Sequence, residues 1–254
     1  MTQEMEKPSL NGVPAQGRDA LRPAAPAFEM KFLLADEHAR AVEHWAHECL
    51  ALDPHADPTL GGYHTSSVYL DTEGLDVFYG SPGFKRRKFR IRRYGTEEVM
   101  FLERKARSGD EVRKRRVCVP ETELVFLGGS AATPAWAGHW FHTRLLMRGL
   151  RPVCLIAYDR VAFAASTAEG PLRLTLDRRV RGVPTNSLTP ACLTGGLPLL
   201  EGQTILELKF QAALPSLFQR LIQDQGLAPA PVSKYRLCVR AWALDASVRG
   251  AAGA

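Results

Sequence analysis

The sequence predicts an α+β protein built on an antiparallel β-barrel, with a charged lumen and helices packed outside. Two observations carry this. First, several strand-like segments alternate apolar and ionisable residues at period two: Lys88-Phe89-Arg90-Ile91-Arg92, Phe101-Leu102-Glu103-Arg104-Lys105, Leu172-Arg173-Leu174-Thr175-Leu176-Asp177 and Ile205-Leu206-Glu207-Leu208-Lys209-Phe210. Successive side chains of a strand point to opposite faces, so each segment has one apolar and one charged face. Second, Arg and Lys recur on those charged faces. Facing strands of like charge repel, which calls for interleaved carboxylates or an anionic ligand, and a closed sheet with its apolar faces outward gathers the charge in one lumen.

Residues 1–27 contain four prolines, mixed charge and no periodicity, and read as a disordered leader. Order is expected over 28–246, beginning with the strand Phe28–Leu34. Asp36 or Ala35 then opens a helix to about Leu52, stopped by Asp53-Pro54. Strands are expected at about 64–72, 87–94, 99–107 and 112–119, broken by turn-rich stretches such as Gly80-Ser81-Pro82-Gly83. A helix from about Pro134 to Arg148 should end at Gly149. Further strands follow at about 153–164, 171–180 and 203–211, then a helix from Pro215 to Gly226 and an amphipathic stretch to about Ala246. The Gly/Ala-rich tail 247–254 reads as flexible.

With 254 residues, 45% hydrophobic and 24% charged, the chain has the composition of a globular protein with one sizeable core, and its net charge of +6 favours an anionic partner. Its five cysteines are odd in number and scattered without a CxxC, which argues against a disulfide framework or zinc site and for a reducing cytoplasm. No apolar run reaches the length of a membrane span. Neither GxxxxGK[ST] nor GxGxxG occurs, so P-loop and Rossmann nucleotide sites are not expected.

Strand by strand, Glu29 and Lys31 share a face, as do Arg90 and Arg92, Glu103 and Lys105, Tyr158 and Arg160, Arg173 and Asp177, and Glu207 and Lys209. In Val112–Val117 the parity is open, with either Lys114 and Arg116 or Arg113 and Arg115 inward.

Eight pieces taken in order, Phe28–Phe32, Ser67–Thr72, Lys88–Tyr94, Phe101–Lys105, Tyr158-Asp159-Arg160, Arg173–Asp177, Leu206–Lys209 and Ser233-Lys234-Tyr235, resemble the VTC domain. That domain is the catalytic part of the vacuolar transporter chaperone polyphosphate polymerase, within the triphosphate tunnel metalloenzyme (CYTH-like) superfamily. The resemblance implies an ATP-dependent polymerase that transfers a γ-phosphoryl group to inorganic polyphosphate. It places Arg90, Arg92, Lys105 and Arg160 at the reacting phosphates. Lys31, Lys114, Arg116, Tyr158, Arg173, Lys209, Ser233 and Lys234 become phosphate-binding residues, and the inward parity of Lys114 and Arg116 is preferred on the same ground. Glu207 would hold Mn²⁺ or Mg²⁺, with Glu29 and Glu103 as alternative carboxylates. Such an ion suits the chemistry, because a carboxylate among cations is a poor phosphate neighbour unless a hard cation lies between. A structural ion pair from Glu207 to Lys209 or Lys31 is the competing reading.

The CYTH hydrolases open with an acidic-x-acidic-x-Lys signature, and here the first of those positions is Ala27. This weakens a hydrolytic two-metal site without excluding a metal-dependent tripolyphosphatase or nucleoside triphosphatase. A noncatalytic polyphosphate-binding module is the third alternative. No specific nucleic acid is expected, and passing product to a membrane would need a separate partner.

Overall fold

The computed structural model describes residues 28–57, 59, 61–108 and 111–246; the expected leader 1–27 and tail 247–254 lie outside the described residues. Sixteen elements follow the chain: strands β1 (Phe28–Ala35), β2 (Ala51–Leu52), β3 (Tyr63–Asp71), β4 (Arg87–Tyr94), β5 (Val99–Ser108), β6 (Glu111–Pro120), β7 (Arg151–Thr167), β8 (Gly170–Pro184), β9 (Leu197–Pro198) and β10 (Gln203–Phe210), helices α1 (Asp36–Cys49), α2 (Asp76–Tyr79), α3 (His139–Arg148), α4 (Ser216–Asp224) and α5 (Lys234–Ala241), and a 3-10 segment at Glu121–Gly128.

All strand pairing is antiparallel, in the order β1-β10-β8-β7-β3-β4-β5-β6 with β2 and β9 appended. The sheet is strongly curled but not strictly closed. β1 and β6 approach each other, yet no ladder joins them among the described residues. Part of the reason lies at the outer edge of β1. There the Ala230 N–H donates to the Lys31 carbonyl at 2.8 Å, and Phe32 bridges Pro229. Backbone groups that would have paired with a neighbouring strand are satisfied by the segment leading into α5.

The apolar faces of the strands point outward, as the period-two pattern predicts. Phe32, Leu34, Leu174, Leu176, Leu206 and Leu208 are buried beneath Ala39, Val42 and Ala46 of α1 and Phe218 and Leu221 of α4. On the other flank Phe89, Ile91 and Leu102 pack with Phe141 and Leu145 of α3. α5 is different. Its Tyr235 stacks on Tyr69 with ring centroids 5.6 Å apart, and Cys238 lies so close to Gly182 that a Cβ there would sit 2.5 Å from its sulfur. Tyr69 and Gly182 both belong to inward-facing registers, so α5 lies against the inner surface at one end of the sheet.

Several boundaries moved from the sequence expectation. The first helix stops at Cys49, because Ala51 and Leu52 extend to pair with Ala164 and Phe163. The third begins at His139 rather than Pro134, since Trp136 folds over Gly138 with its ring where a Cβ would lie. β8 carries a bulge opposite β7 between Ala157 and Asp159, with Arg179 at φ 48°. The bulge resets the alternation, so Arg173, Thr175 and Asp177 face inward before it and Val180 and Gly182 after it.

Candidate functional site in the lumen

Every candidate residue named from the sequence lies on the inner surface or at its rim, most of them in three ionic groups, two of which are linked through Arg92 and the tyrosines Tyr94 and Tyr158. On the β1–β10 wall, Lys31 contacts Glu29 (3.2 Å) and Glu207 (3.1 Å), while Lys209 pairs with Glu207. Lys105 reaches across from β5 to Glu29 at 2.5 Å, joining strands that share no ladder. At the centre of β4–β6, Glu103 is 1% exposed and accepts from Arg90, Lys114 and Arg116, each at 2.6 Å. In the third group Asp177 is fully buried and takes a two-pronged contact from Arg160 (2.6 and 2.8 Å) and a third from Lys234 (2.5 Å), both of which keep a little exposure. Arg173 sits nearer the rim, bonded to Asp53 (2.5 Å) and the Tyr63 hydroxyl (3.1 Å).

Of the two parities open in β6, Lys114 and Arg116 face inward. Arg115 points out and stacks on Trp140 at 4.3 Å.

Arg92 is the exception among these cations. It is 3% exposed, yet its bonds go to neutral oxygens: Ser67 (3.0 Å), Tyr158 (2.8 Å) and Tyr94 (3.4 Å). Burial and Arg90 disfavour its charge, but the surrounding phenols and Glu103 outweigh them and hold its pKa above the ordinary value, so a guanidinium with no direct carboxylate stays charged and is well placed for an anion.

Sequence reasoning passed over several lining residues. Lys88 donates to Ser233 at 3.0 Å and faces inward with Arg90 and Arg92. Its parity was visible, but it closes the run Lys85-Arg86-Arg87-Lys88, which reads as a solvated patch. Ser67, Tyr63, Tyr69 and Tyr94 carry no formal charge, so charge alternation could not flag them. Ser233 was expected to meet phosphate; here its hydroxyl accepts from Lys88 and weakly caps α5 at the Arg236 N–H (3.5 Å).

Among the described residues, eleven cations (Lys31, Lys88, Arg90, Arg92, Lys105, Lys114, Arg116, Arg160, Arg173, Lys209 and Lys234) therefore meet only five contacting carboxylates (Glu29, Asp53, Glu103, Asp177 and Glu207). The imbalance appears in the titration of the group. Burial and the neighbouring Lys31, Lys105 and Arg90 push Lys88 well below the ordinary lysine range. Lys114 falls to about 8 through burial and the charges of Arg116 and Arg90, only partly offset by Glu103. For Tyr94, burial opposes ionisation, but Arg92 and Arg116 outweigh it and bring the phenol down to about 7. Burial likewise opposes ionisation of Glu103 and Glu207, yet their surrounding cations hold both well below the usual carboxylate range.

Glu29 and Glu207 are the carboxylates suited to a divalent cation, being oxygen donors held on one wall by the shared Lys31 ammonium. No cluster of three or more acidic, His or Cys side chains forms a cation cage among the described residues. That donor set fits a Mg²⁺-like ion, which takes one or two carboxylates and completes its octahedron with water and substrate phosphates. Glu103, 1% exposed and held by three cations, two of them arginines, is less suited to the role than Glu29 and Glu207, whose oxygens are held by lysines alone.

A curled antiparallel sheet with helices outside and a cation-rich interior places the chain in the tunnel-fold class of proteins. It belongs to the VTC domain family, whose model matches residues 27–243. Among solved structures, the chain is similar to a Bacillus halodurans protein provisionally assigned as an adenylate cyclase (TM-score 0.51, 15% identity, 82% of this chain and 94% of that one). It also resembles a Pyrococcus horikoshii protein (TM-score 0.47, 15% identity, 84% and 98%). A third similar structure is a Hippeastrum protein described by its dominant triphosphatase activity (TM-score 0.48, 13% identity, 85% and 96%). No curated protein matches the chain in sequence. Among the described residues no helix is long and apolar enough to cross a membrane. Family membership supports a tunnel-fold enzyme that handles triphosphates, in a family whose members depend on a metal.

Proposed function

We propose that this protein is an ATP-dependent polyphosphate polymerase, in which a terminal oxygen of a polyphosphate chain attacks the γ-phosphorus of ATP, the bond to the β-phosphate breaks, and ADP leaves. The observation that supports this reading most strongly is the excess of lumen cations over contacting carboxylates, centred on Arg92. Phosphoryl transfer asks little covalent chemistry of a protein; it asks for alignment and for neutralisation of nonbridging oxygens, which inward guanidinium and ammonium groups supply.

In this reading Arg90 and Arg160 are held at fixed angles by Glu103 and Asp177 and present their remaining N–H groups to phosphate, while Arg92 exchanges neutral hydroxyl partners for charged oxygens. Lys31, Lys105 and Lys209 leave their carboxylates for the polyanion. Glu207 and Glu29, so released, would hold Mn²⁺ or Mg²⁺, which when bound neutralises phosphate oxygens. The polyphosphate chain and ATP are the expected partners.

Incubation with ATP and Mn²⁺, followed by resolution of the products, tests the proposal. Long polyphosphate with stoichiometric ADP is the expected result. Free phosphate without chains would replace it with a tripolyphosphatase or nucleoside triphosphatase, and tight binding without turnover with a binding module.

A further inference from the structure

Outside the lumen, on the opposite face of β4–β6, lies a second concentration of positive charge that the tunnel chemistry does not use. Arg104 and Arg115 are direct cross-strand partners on the outer face, and Arg87 is one diagonal step away on β4. α3 packs against β5 there and adds Arg144 and Arg148 from successive turns. The four charges acting most strongly on Arg104 are the other four arginines. Its buried Nε has no hydrogen-bond partner. Among the described residues no carboxylate bonds any of the five; Arg148 instead donates to the Gly83 carbonyl (3.0 Å) and lies over Phe84 (5.0 Å). Arg144 and Arg148 line an open cleft of about 370 Å³, whose carboxylate, Asp76, is engaged by the Thr72 hydroxyl (2.7 Å).

Like charges set directly opposite one another on a sheet are destabilising, and, among the described residues, five arginines beside a single carboxylate, Asp76, that bonds none of them point to an absent anion. Register links this patch to the lumen. Lys88, Lys105 and Lys114 form one inward row across β4–β6, and Arg104 and Arg115 stand in the next row, one residue along the strands but on the opposite face, so the free edge of β6, the last strand of the sheet, is where the two rows connect. A flexible chain of phosphates leaving the lumen over the β5–β6 end of the sheet would meet the arginines next.

We propose that Arg87, Arg104, Arg115, Arg144 and Arg148 form an external binding track for inorganic polyphosphate, continuous with the lumen and engaged only by chains too long to be held inside it. The inference rests on the polyphosphate reading of the lumen. Repeating phosphates favour it over an anionic membrane, because Arg104 and Arg115 run in register with the lumen lysines and Arg144 and Arg148 extend that line along the border of the open cleft.

The test compares wild type with Arg144→Gln/Arg148→Gln, with the lumen variant Arg92→Gln, and with the charge-matched control Arg40→Gln/Arg220→Gln on α1 and α4. Affinities are measured for tripolyphosphate, for a polyphosphate of about a hundred units, for phosphatidylglycerol vesicles and for duplex DNA, across a salt series. The external double variant should lose about tenfold affinity for the long chain, with a salt slope shallower by roughly one to two, and keep its tripolyphosphate affinity. The control should change neither. Unchanged long-chain affinity in the external variant overturns the track, as does an equal loss in the control. So does a loss confined to phosphatidylglycerol vesicles or duplex DNA. Failure of the lumen reading shows separately, as unaltered tripolyphosphate binding by Arg92→Gln.

Discussion

Lys31 on β1 and Glu207 on β10 are register partners whose side chains meet at 3.1 Å inside the lumen. Glu207 raises the pKa of that ammonium against the opposing effect of burial, and Glu29 adds to it. The contact is a ready-made ion pair in the unliganded protein, and it conceals the role proposed for Glu207. Glu207→Gln keeps the volume and one carbonyl oxygen but removes the charge a divalent cation would need. The expected outcome is loss of Mn²⁺-dependent turnover with tripolyphosphate affinity in EDTA retained or improved, because Lys209 loses its competing anion and Lys31 one of its two. Full metal-dependent activity would make Glu207 structural and pass the metal to Glu29.

Arg92 separates binding chemistry from stability. Its guanidinium is buried with hydroxyl partners only, and Arg90 lies nearby as a like charge. Arg92→Met preserves side-chain length but takes the donor from the Ser67, Tyr158 and Tyr94 hydroxyls, and the surroundings hold the guanidinium pKa above its ordinary value against burial and Arg90. The unliganded protein should therefore melt modestly below the wild-type temperature. Turnover should fall roughly a hundredfold or more, as expected when a donor to developing charge is lost. Thermal melts and steady-state rates on the same preparation check both halves, and near-normal kinetics would sink the lumen as the reaction site.

What could be read in the sequence was what obeys period two. Lys31, Arg90, Arg92, Lys105, Arg160, Glu207 and their neighbours alternate with core residues, so one apolar face fixes the orientation of the other. Contacts between distant strands were not visible: Lys105 and Glu29 are 76 residues apart and meet only because the sheet curls. Nor was the clustering of Arg160 and Lys234 on Asp177, which requires α5 to lie against the inner surface. Local conformation also interfered. The bulge at Arg179 reverses the parity of β8, and the turn built on Trp136 and Gly138 delays α3, neither of which hydrophobic periodicity encodes.

Proton linkage offers an independent check of the crowded charge. Lys114 titrates at about 8 and Tyr94 at about 7, both below their ordinary ranges. Between these values and about pH 10 the unfolded chain therefore binds more protons at these two sites, so their contribution makes the empty protein more stable as pH rises. A polyanion reverses the preference by restoring the Lys114 proton. Tripolyphosphate binding at pH 8.5 should thus take up protons and weaken towards pH 9.5. Calorimetry in two buffers of different ionisation enthalpy measures the uptake, and Lys114→Met should reduce it. Identical binding enthalpies in the two buffers would contradict the proposed contact.

Asp177 is the residue on which the empty lumen most depends. It is fully buried, bonded by Arg160 through two nitrogens and by Lys234 through one, and these cations hold its carboxyl far below the usual range despite the opposing effect of burial. A lowered carboxylate pKa means stability that is present above the unfolded value and lost as pH falls through the folded one. Asp177→Asn leaves two buried cations with a neutral partner, and removing one side of such a cluster costs about 3–5 kcal/mol. The melting temperature of the empty variant should drop by roughly 6–20 °C for a domain of this size. Tripolyphosphate supplies the missing negative charge, so at a hundredfold excess over its dissociation constant it should raise the variant by more than the roughly 2.7 kcal/mol that simple occupancy provides at 25 °C, when both proteins are referred to the wild-type dissociation constant. Paired thermal melts with and without tripolyphosphate check this. A variant destabilised as expected but stabilised by ligand no more than wild type would show that Arg160 and Lys234 do not face the phosphates, and would restrict the binding lumen to Arg90, Arg92 and the lysine row.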